Sequence, residues 1–335
     1  MGKEIRDRLV IGVDGGGTST RAVVATAEGV CLGVGRAGSG NPISSGIVQA
    51  GSAVAGAVRD ALAAAGATLG QVSDVVMAIA GHDSNEGPSD WILEPLRAEG
   101  FRGRLGFTSD LLAMYLSGSV APLGYGIVGG TGASAVRVEE GRITATGDGL
   151  GWLLGDRGSG FWIGYRAAHA VIGELEGVAP PTALTALVLR DRGIDAAGID
   201  TSGTEGRSVA LVRLVRALYA TLPVHLSRLA PLVFEASEAH DPVATEILRR
   251  AGHELVQTFE QVRTAPGPVV LGGGVIARPG PAQSVLRAHL AAAGDAHPLV
   301  LVDSGAVGAT LLALRHAGVP VDGRILARLR EGVAA

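Results

Sequence analysis

The chain has 335 residues, 47% of them apolar, and its 28 Lys plus Arg against 32 Asp plus Glu give a formal net charge of −4. Such a length suggests about two domains, and the scattered arginines form no basic stripe for nucleic acid. One cysteine, Cys31, excludes an internal disulfide, a Cys-based zinc site and a Cys-ligated iron–sulfur cluster within one chain.

Lys3 is the single lysine. A Walker A loop and a protein-kinase strand lysine are therefore both absent, and a lysine Schiff base is excluded unless Lys3 supplies it. Any nucleotide must be held by backbone amides, hydroxyls and metal. The segment Met1–Arg8 is charged and carries no apolar run with a small-residue cleavage site. No apolar stretch reaches bilayer length, so the expected location is cytoplasmic.

The first element is an apolar strand ending in Asp14, a turn through Gly15, Gly16, Gly17 and Thr18, and a second apolar strand from about Thr20. Three glycines remove every Cβ from the bend, so a phosphate can lie on bare N–H groups; a plain Gly-rich hairpin has the same signature. A third strand near Val30–Gly35 leads to the turn Gly38-Ser39-Gly40-Asn41-Pro42. Helical spacing follows over Ile47–Ala65, a buried strand over Val72–Ala80, a helix over Asp90–Glu99, a strand over Leu105–Thr108 and a helix from Asp110. His82 falls on the loop after the Val72–Ala80 strand, where a surface role is the ordinary one.

Near residue 120 the pattern restarts. Gly124–Gly129 reads as a strand, Gly130-Thr131-Gly132 as a turn, Ala133–Val138 as a strand, and Gly141–Ala145 as a further hairpin strand. The repetition predicts an internal structural duplication. Helices dominate from Gly160 to about Gln261. Strands then follow at Pro268–Leu271, running into Gly272-Gly273-Gly274-Val275, and at Leu299–Val302, with a helix over Ala306–His316. The eight histidines have no metal-site spacing.

The ordered set Asp14-Gly15-Gly16-Gly17-Thr18 with Arg21, Ser39-Gly40-Asn41, Thr108-Ser109-Asp110, Gly129-Gly130-Thr131-Gly132, Gly149–Ser159, Asp241-Pro242 and Gly272–Val275 carries a resemblance. The chain resembles the sugar kinase/Hsp70/actin superfamily, over roughly residues 8 to 315. Within it the chain is most similar to the branch of N-acetylglucosamine kinases, bacterial glucosamine kinases and BadF/BadG-type ATPases.

The resemblance implies an α/β fold of two RNase H-like domains around an ATP and sugar cleft, divided as 1–118 and 119–335. It implies a helical insert in the second domain and a last helix returning to the first. It implies a homodimer, ATP with Mg²⁺, and phosphorylation of the 6-hydroxyl of N-acetylglucosamine or glucosamine. Thr18 and the Gly15–Gly17 amides would hold the β- and γ-phosphates, Asp14 would reach the metal through water, and Thr131 with Gly132 would form a second phosphate turn. Gly273 and Gly274 would admit the adenosine, and Ala236 aligns with a nucleotide-contacting alanine.

Asp110 would accept the sugar proton as general base, although an aspartate opening a helix is equally a cap. Asn41, Asp156 and the backbone of Gly149 and Leu150 would bind the sugar; a turn residue before Pro42 is the other reading of Asn41. Trp152 and Trp162 read either as pocket walls or as core. Two departures from the branch pattern, Arg157 in place of an acidic residue and Gly160 in place of alanine, are expected on the sugar side. The alternative is a BadF-type ATPase or an ATP-binding regulator that does not transfer phosphate to sugar. The lone Cys31 argues against the cluster-bridged activators of that type.

Overall fold

The computed structural model describes residues 8–80, 90–199, 203, 206–294 and 298–334, so His82 and the segment 1–7 lie outside the described residues. The opening hairpin forms β1 (Leu9–Gly15) and β2 (Thr20–Thr26), followed by β3 (Cys31–Ala37), α1 (Pro42–Ser45), α2 (Ile47–Ala65), β4 (Val72–Ile79), α3 (Asp90–Ala98), β5 (Arg104–Thr108) and α4 (Asp110–Gly118). Apolar runs make β1 and β4 interior strands, with Ile11, Val13, Val75 and Met77 fully enclosed. Helix α2 buries Ala50, Val54, Ala57, Val58, Ala61 and Leu62, one stripe at helical spacing. It ends at Gly66, whose left-handed φ of 62° returns its N–H to the last turn.

The second half repeats this plan. It begins with β6 (Leu123–Gly129), β7 (Ala133–Glu139) and β8 (Arg142–Asp148), and continues through five helices, α5 (Gly160–Leu175), α6 (Ala183–Asp191), α7 (Val209–Tyr219), α8 (Ala230–Glu238) and α9 (Pro242–Glu260). It closes with β9 (Val269–Gly272), α10 (Pro281–Ala292), β10 (Leu299–Val302), α11 (Ala306–His316) and α12 (Gly323–Ala334). The two sheets have orders β3-β2-β1-β4-β5 and β10-β9-β6-β7-β8. In each, the first three strands are antiparallel and the last two join parallel to the first. The duplication legible in the glycine turns is therefore a duplication of sheet topology.

Two helices are exchanged across the centre. Helix α4 lies against β6, β7, β9 and β10 of the second sheet, while α11 lies against β1, β2 and β4 of the first, and the two pack on each other. Their shared core contains Ala113, Met114, Tyr115, Val307, Leu311 and Leu314, together with Val76 of one sheet and Val270 of the other. Helix α12 then covers β3.

The helices α5 to α9 build the third core around Phe259, whose ring meets Tyr125 edge-to-face at 5.4 Å. The Asp241-Pro242 pair is an anchor for this layer. The Asp241 carboxylate accepts the Ala244 N–H at 2.8 Å, capping α9, and also the Thr182 hydroxyl and the Ala183 N–H at the start of α6.

Candidate active site

Four chain segments converge at the carboxyl ends of β1 and β4 and the amino ends of α4 and α11. Asp14, near the end of β1, accepts the Gly305 N–H at 2.7 Å through Oδ2, so its carboxylate sits at the first turn of α11. Across the hairpin it pairs in register with Arg21 on β2, and Arg21 reaches Ser304 at 3.4 Å. Asp110 opens α4 close enough for its charge to act on Asp14. Capping of α4 is carried by Ser109, whose Oγ accepts the Leu111 N–H at 3.2 Å.

Burial pushes the Asp14 carboxyl up to about 6. The Gly305 N–H opposes that shift, the charge on Asp110 adds to it, and the Arg21 guanidinium pulls the other way. Burial likewise raises Asp110, against N–H groups at Leu111 and at Asp110 itself. Two neighbouring carboxylates held above their ordinary range are a costly arrangement that a metal or a substrate proton would relieve. Among the described residues no cluster of three His, Cys, Asp or Glu could hold a metal by itself. Asp14 instead suits Mg²⁺, which takes one or two carboxylates and fills its other positions with water and phosphate oxygens.

A signed prediction follows from Asp14. An acid raised in the folded chain binds its proton more tightly there, so folding stability falls as pH rises from the ordinary value of 3.8 through about 6. Asp14→Asn is expected to raise Tm at pH 8, with the gain vanishing by pH 4, while removing nucleotide turnover. Thermal denaturation at both pH values checks it; a lowered Tm at pH 8 overturns it.

The first hairpin is braced from behind. The Gly16 N–H closes the turn on the Ser19 carbonyl at 2.9 Å, the Gly40 N–H donates to the Gly16 carbonyl at 3.1 Å, and the Thr20 hydroxyl donates to the Gly38 carbonyl at 2.8 Å. Gly15 lies under Gly40, while Gly17 and Thr18 project at the exposed tip. Asn41 follows directly; its Oδ1 accepts the Ile43 N–H at 2.7 Å, so the side chain turns the chain into α1 beside the hairpin.

The second hairpin has its own braces. The Gly160 and Phe161 N–H groups at the start of α5 donate to the Gly130 and Thr131 carbonyls at 2.7 and 3.2 Å, and the Val275 N–H donates to the Gly129 carbonyl at 2.7 Å. Gly273, at φ 90°, passes so close that a Cβ there would lie 2.6 Å from the Gly129 carbonyl oxygen, whereas at Gly274 it would meet open space. Gly160 thus belongs to the hairpin carrying Thr131 and Gly132. It lies against the second turn, where a Cβ would meet the Gly130 oxygen at 3.0 Å.

Asp156 also lies at this hairpin. Its Oδ1 accepts the Ala133 N–H at 3.1 Å beneath Gly132, and burial raises its carboxyl, helped by the charge on Asp148. Gly149 donates its N–H to the Ala133 carbonyl at 3.0 Å, so Gly149, Leu150 and Asp156 flank the same turn. Trp152 is exposed and packs on Phe161 with centroids 5.5 Å apart, and Trp162 carries the Arg166 guanidinium over its ring at 5.0 Å. Ala236 stands apart: it is 1% exposed within α8, in the helical core.

Contacts link the two hairpins. Asp14 holds Gly305, Gly305 packs on Ala113 and Met114 of α4, Met114 packs on Gly272, and the chain then reaches Gly273 against the second hairpin. The contribution of Ser304-Gly305 was hidden in the sequence. Its only local signal is a Ser-Gly pair between a strand and a helix, the pattern of a ligand-facing turn.

Residues 11–313 match the BadF/BadG/BcrA/BcrD ATPase family. The chain is 26% identical over 247 residues to a glucosamine kinase of Vibrio cholerae, covering 73% of this chain and 77% of the relative. It is 26% identical over 298 residues to an N-acetyl-D-glucosamine kinase of Dictyostelium discoideum, covering 84% and 88%. A crystal structure assigned as an N-acetylglucosamine kinase from Chromobacterium violaceum superposes with a TM-score of 0.67 at 26% identity, over 91% of this chain and 99% of that one. With two glycine hairpins on duplicated sheets and a match spanning both halves, this chain belongs to the BadF/BadG/BcrA/BcrD ATPase family.

Proposed function

We propose that this protein is an ATP-dependent amino-sugar kinase that phosphorylates the 6-hydroxyl of N-acetylglucosamine in preference to glucosamine. The observation that carries the reading is the pairing of Asp14 and Asp110, two raised carboxylates, between a glycine hairpin and two helix amino ends. The kinase relatives from two distant organisms support the substrate class.

In this reading Gly17 and Thr18 at the exposed tip of the first turn, and Thr131 with Gly132 opposite, hold the β- and γ-phosphates of MgATP, while Gly273 and Gly274 leave room for the adenosine. Asp14 would hold Mg²⁺, which would supply positive charge against the phosphates. Asn41, Gly149, Leu150 and Asp156 hold the sugar so that its 6-oxygen lies in line with the γ-phosphorus. As the new O–P bond forms and the bond to the ADP oxygen breaks, Asp110 takes the hydroxyl proton. No step needs a lysine.

The preference for an acetamido sugar rests on how the second-lobe acids are used. Asp148 gives both oxygens to backbone N–H groups, and Asp156 gives its Oδ1 to the Ala133 N–H. The loop between them exposes Leu150, Trp152, Leu153 and Leu154, and ends at the Arg157 cation. An acetyl methyl suits that surface, and the Arg157 cation opposes the ammonium of glucosamine beside it.

ADP release measured with N-acetylglucosamine, glucosamine, glucose and mannose tests the reading. The expected kcat/KM for N-acetylglucosamine exceeds that for glucosamine by about tenfold or more, equivalent to one well-placed contact. The reverse order overturns the acetamido preference. ADP release unaffected by any sugar overturns the kinase reading in favour of a sugar-independent ATPase.

A further inference from the structure

Asp148, the last residue of β8, has no part in the phosphate or proton chemistry above, yet its carboxylate is the most heavily used near the site. Its side chain is 1% exposed. Oδ1 accepts the Asp156 N–H at 2.7 Å, Oδ2 accepts the Arg157 N–H at 2.9 Å, and the Arg157 Nε lies 3.7 Å from Oδ2. The fit leaves no slack: a Cβ on Gly155 would lie 2.0 Å from Asp148 Oδ1.

The backbone on both sides is strained. Asp148 and Asp156 both adopt left-handed φ values, 59° and 54°, and they bracket a loop that turns on Gly149 and Gly151. A non-glycine residue in that region is strained and persists only where its surroundings fix it. Here the surroundings are the Asp148 carboxylate together with the backbone bonds from the Gly149 N–H to Ala133, the Gly155 N–H to Gly151 and the Ser159 N–H to Asp156. By holding two successive N–H groups, Asp148 closes the loop 149–155 at its far end and sets the direction of the Asp156 side chain. Asp156 in turn grips the Ala133 N–H under Gly132.

We propose that Asp148, with Arg157 as its counter-charge, is a positioning residue that sets the sugar-binding loop and ties it to the second phosphate hairpin. The proposal rests on the kinase reading of that loop. It also gives the departure at Arg157 a physical role, since an acidic residue there would face the buried Asp148 carboxylate with like charge.

Asp148→Asn tests it, because the amide keeps the shape but offers one acceptor atom for two N–H groups and turns an NH₂ toward the other. The expected result is a KM for N-acetylglucosamine raised about tenfold or more, the scale of a misplaced binding loop. The KM for ATP should stay within about twofold, and faster amide hydrogen exchange should be confined to residues 149–157. Arg157→Ala, an exposed change, should move the same quantities in the same direction by about threefold, and the double variant should be no worse than Asp148→Asn alone. A residue that merely staples the fold would lower Tm and leave both KM values alone, which overturns the proposal. Unchanged sugar KM and unchanged exchange in Asp148→Asn overturn it as well. Absence of sugar-dependent ADP release from the wild type would sink the kinase reading instead, and the exchange measurement would still decide whether Asp148 clamps the loop.

Discussion

Asp110→Asn is expected to lower sugar phosphorylation by a factor of about 10³, within the range attributed to a positioned general base, while ADP still binds. A primary hydroxyl becomes a competent nucleophile only as its proton leaves, and an amide cannot take that proton. The structure separates this effect from a folding effect. Ser109 caps α4, so the helix does not depend on the Asp110 charge, and Asn retains an oxygen that can face the Leu111 N–H. Burial raises the Asp110 carboxyl, which makes its ionised form costly in the folded chain; the neutral variant should be at least as stable as the wild type at pH 8. The same shift predicts that kcat/KM falls on the acid side as Asp110 takes up a proton, a limb the Asn variant lacks. Single-turnover ADP formation, calorimetric ADP binding and thermal denaturation together check the assignment. Transfer within tenfold of wild type removes Asp110 from the chemistry.

Much of this architecture is legible in the chain because its signals are local. Apolar runs interrupted by glycine give β1, β2, β6 and β7, and their recurrence announces two matching sheets before any packing is known. The lone lysine narrows the ways a phosphate can be held. What the sequence leaves dark is set by contacts between distant positions. Asp14 and Gly305 are 291 residues apart, and nothing near either one says that a carboxylate meets the start of α11. The exchange of α4 and α11 between sheets is equally hidden, since an apolar helix does not declare which sheet it covers. Helices α10 and α12 lie outside the elements that the pattern calls out. Asp148 looks like a turn residue among glycines until the loop closes and brings the Asp156 and Arg157 amides back to it. Asp241-Pro242 shows the converse: a pair that helps carry the resemblance to a kinase branch serves here as the anchor of α9 and α6.

Gly308→Val should be a severely damaging change outside the polar site, and Gly274→Val should be its opposite in kind. At Gly308 the backbones of α11 and α4 touch: a Cβ would lie 1.9 Å from the Ala113 carbonyl oxygen and 2.9 Å from the Ser117 nitrogen. The Gly308 N–H, in the first turn of α11, donates to Ser117 Oγ at 2.8 Å, supplying a partner that the helix itself cannot offer there. A valine must drive the helices apart, break that bond and carry Gly305 away from Asp14. Overpacking plus one lost buried hydrogen bond amounts to about 2–4 kcal/mol, a Tm lower by roughly 5 °C or more. Nucleotide turnover should fall beyond what lost folding explains, because the Asp14–Gly305 contact moves with the helix. At Gly274 a Cβ meets nothing, so valine should leave Tm within about a degree, an open surface change being worth only about ±0.5 kcal/mol. If the adenosine lies against that glycine, the same valine raises the KM for ATP by about tenfold while sparing the KM for sugar, the loss expected when bulk enters a fitted contact. Differential scanning fluorimetry and the two KM values separate the cases. A Gly274→Val enzyme with an unaltered KM for ATP would show that the nucleotide lies elsewhere, and a Gly308→Val protein with wild-type Tm would mean that α4 and α11 are not in backbone contact.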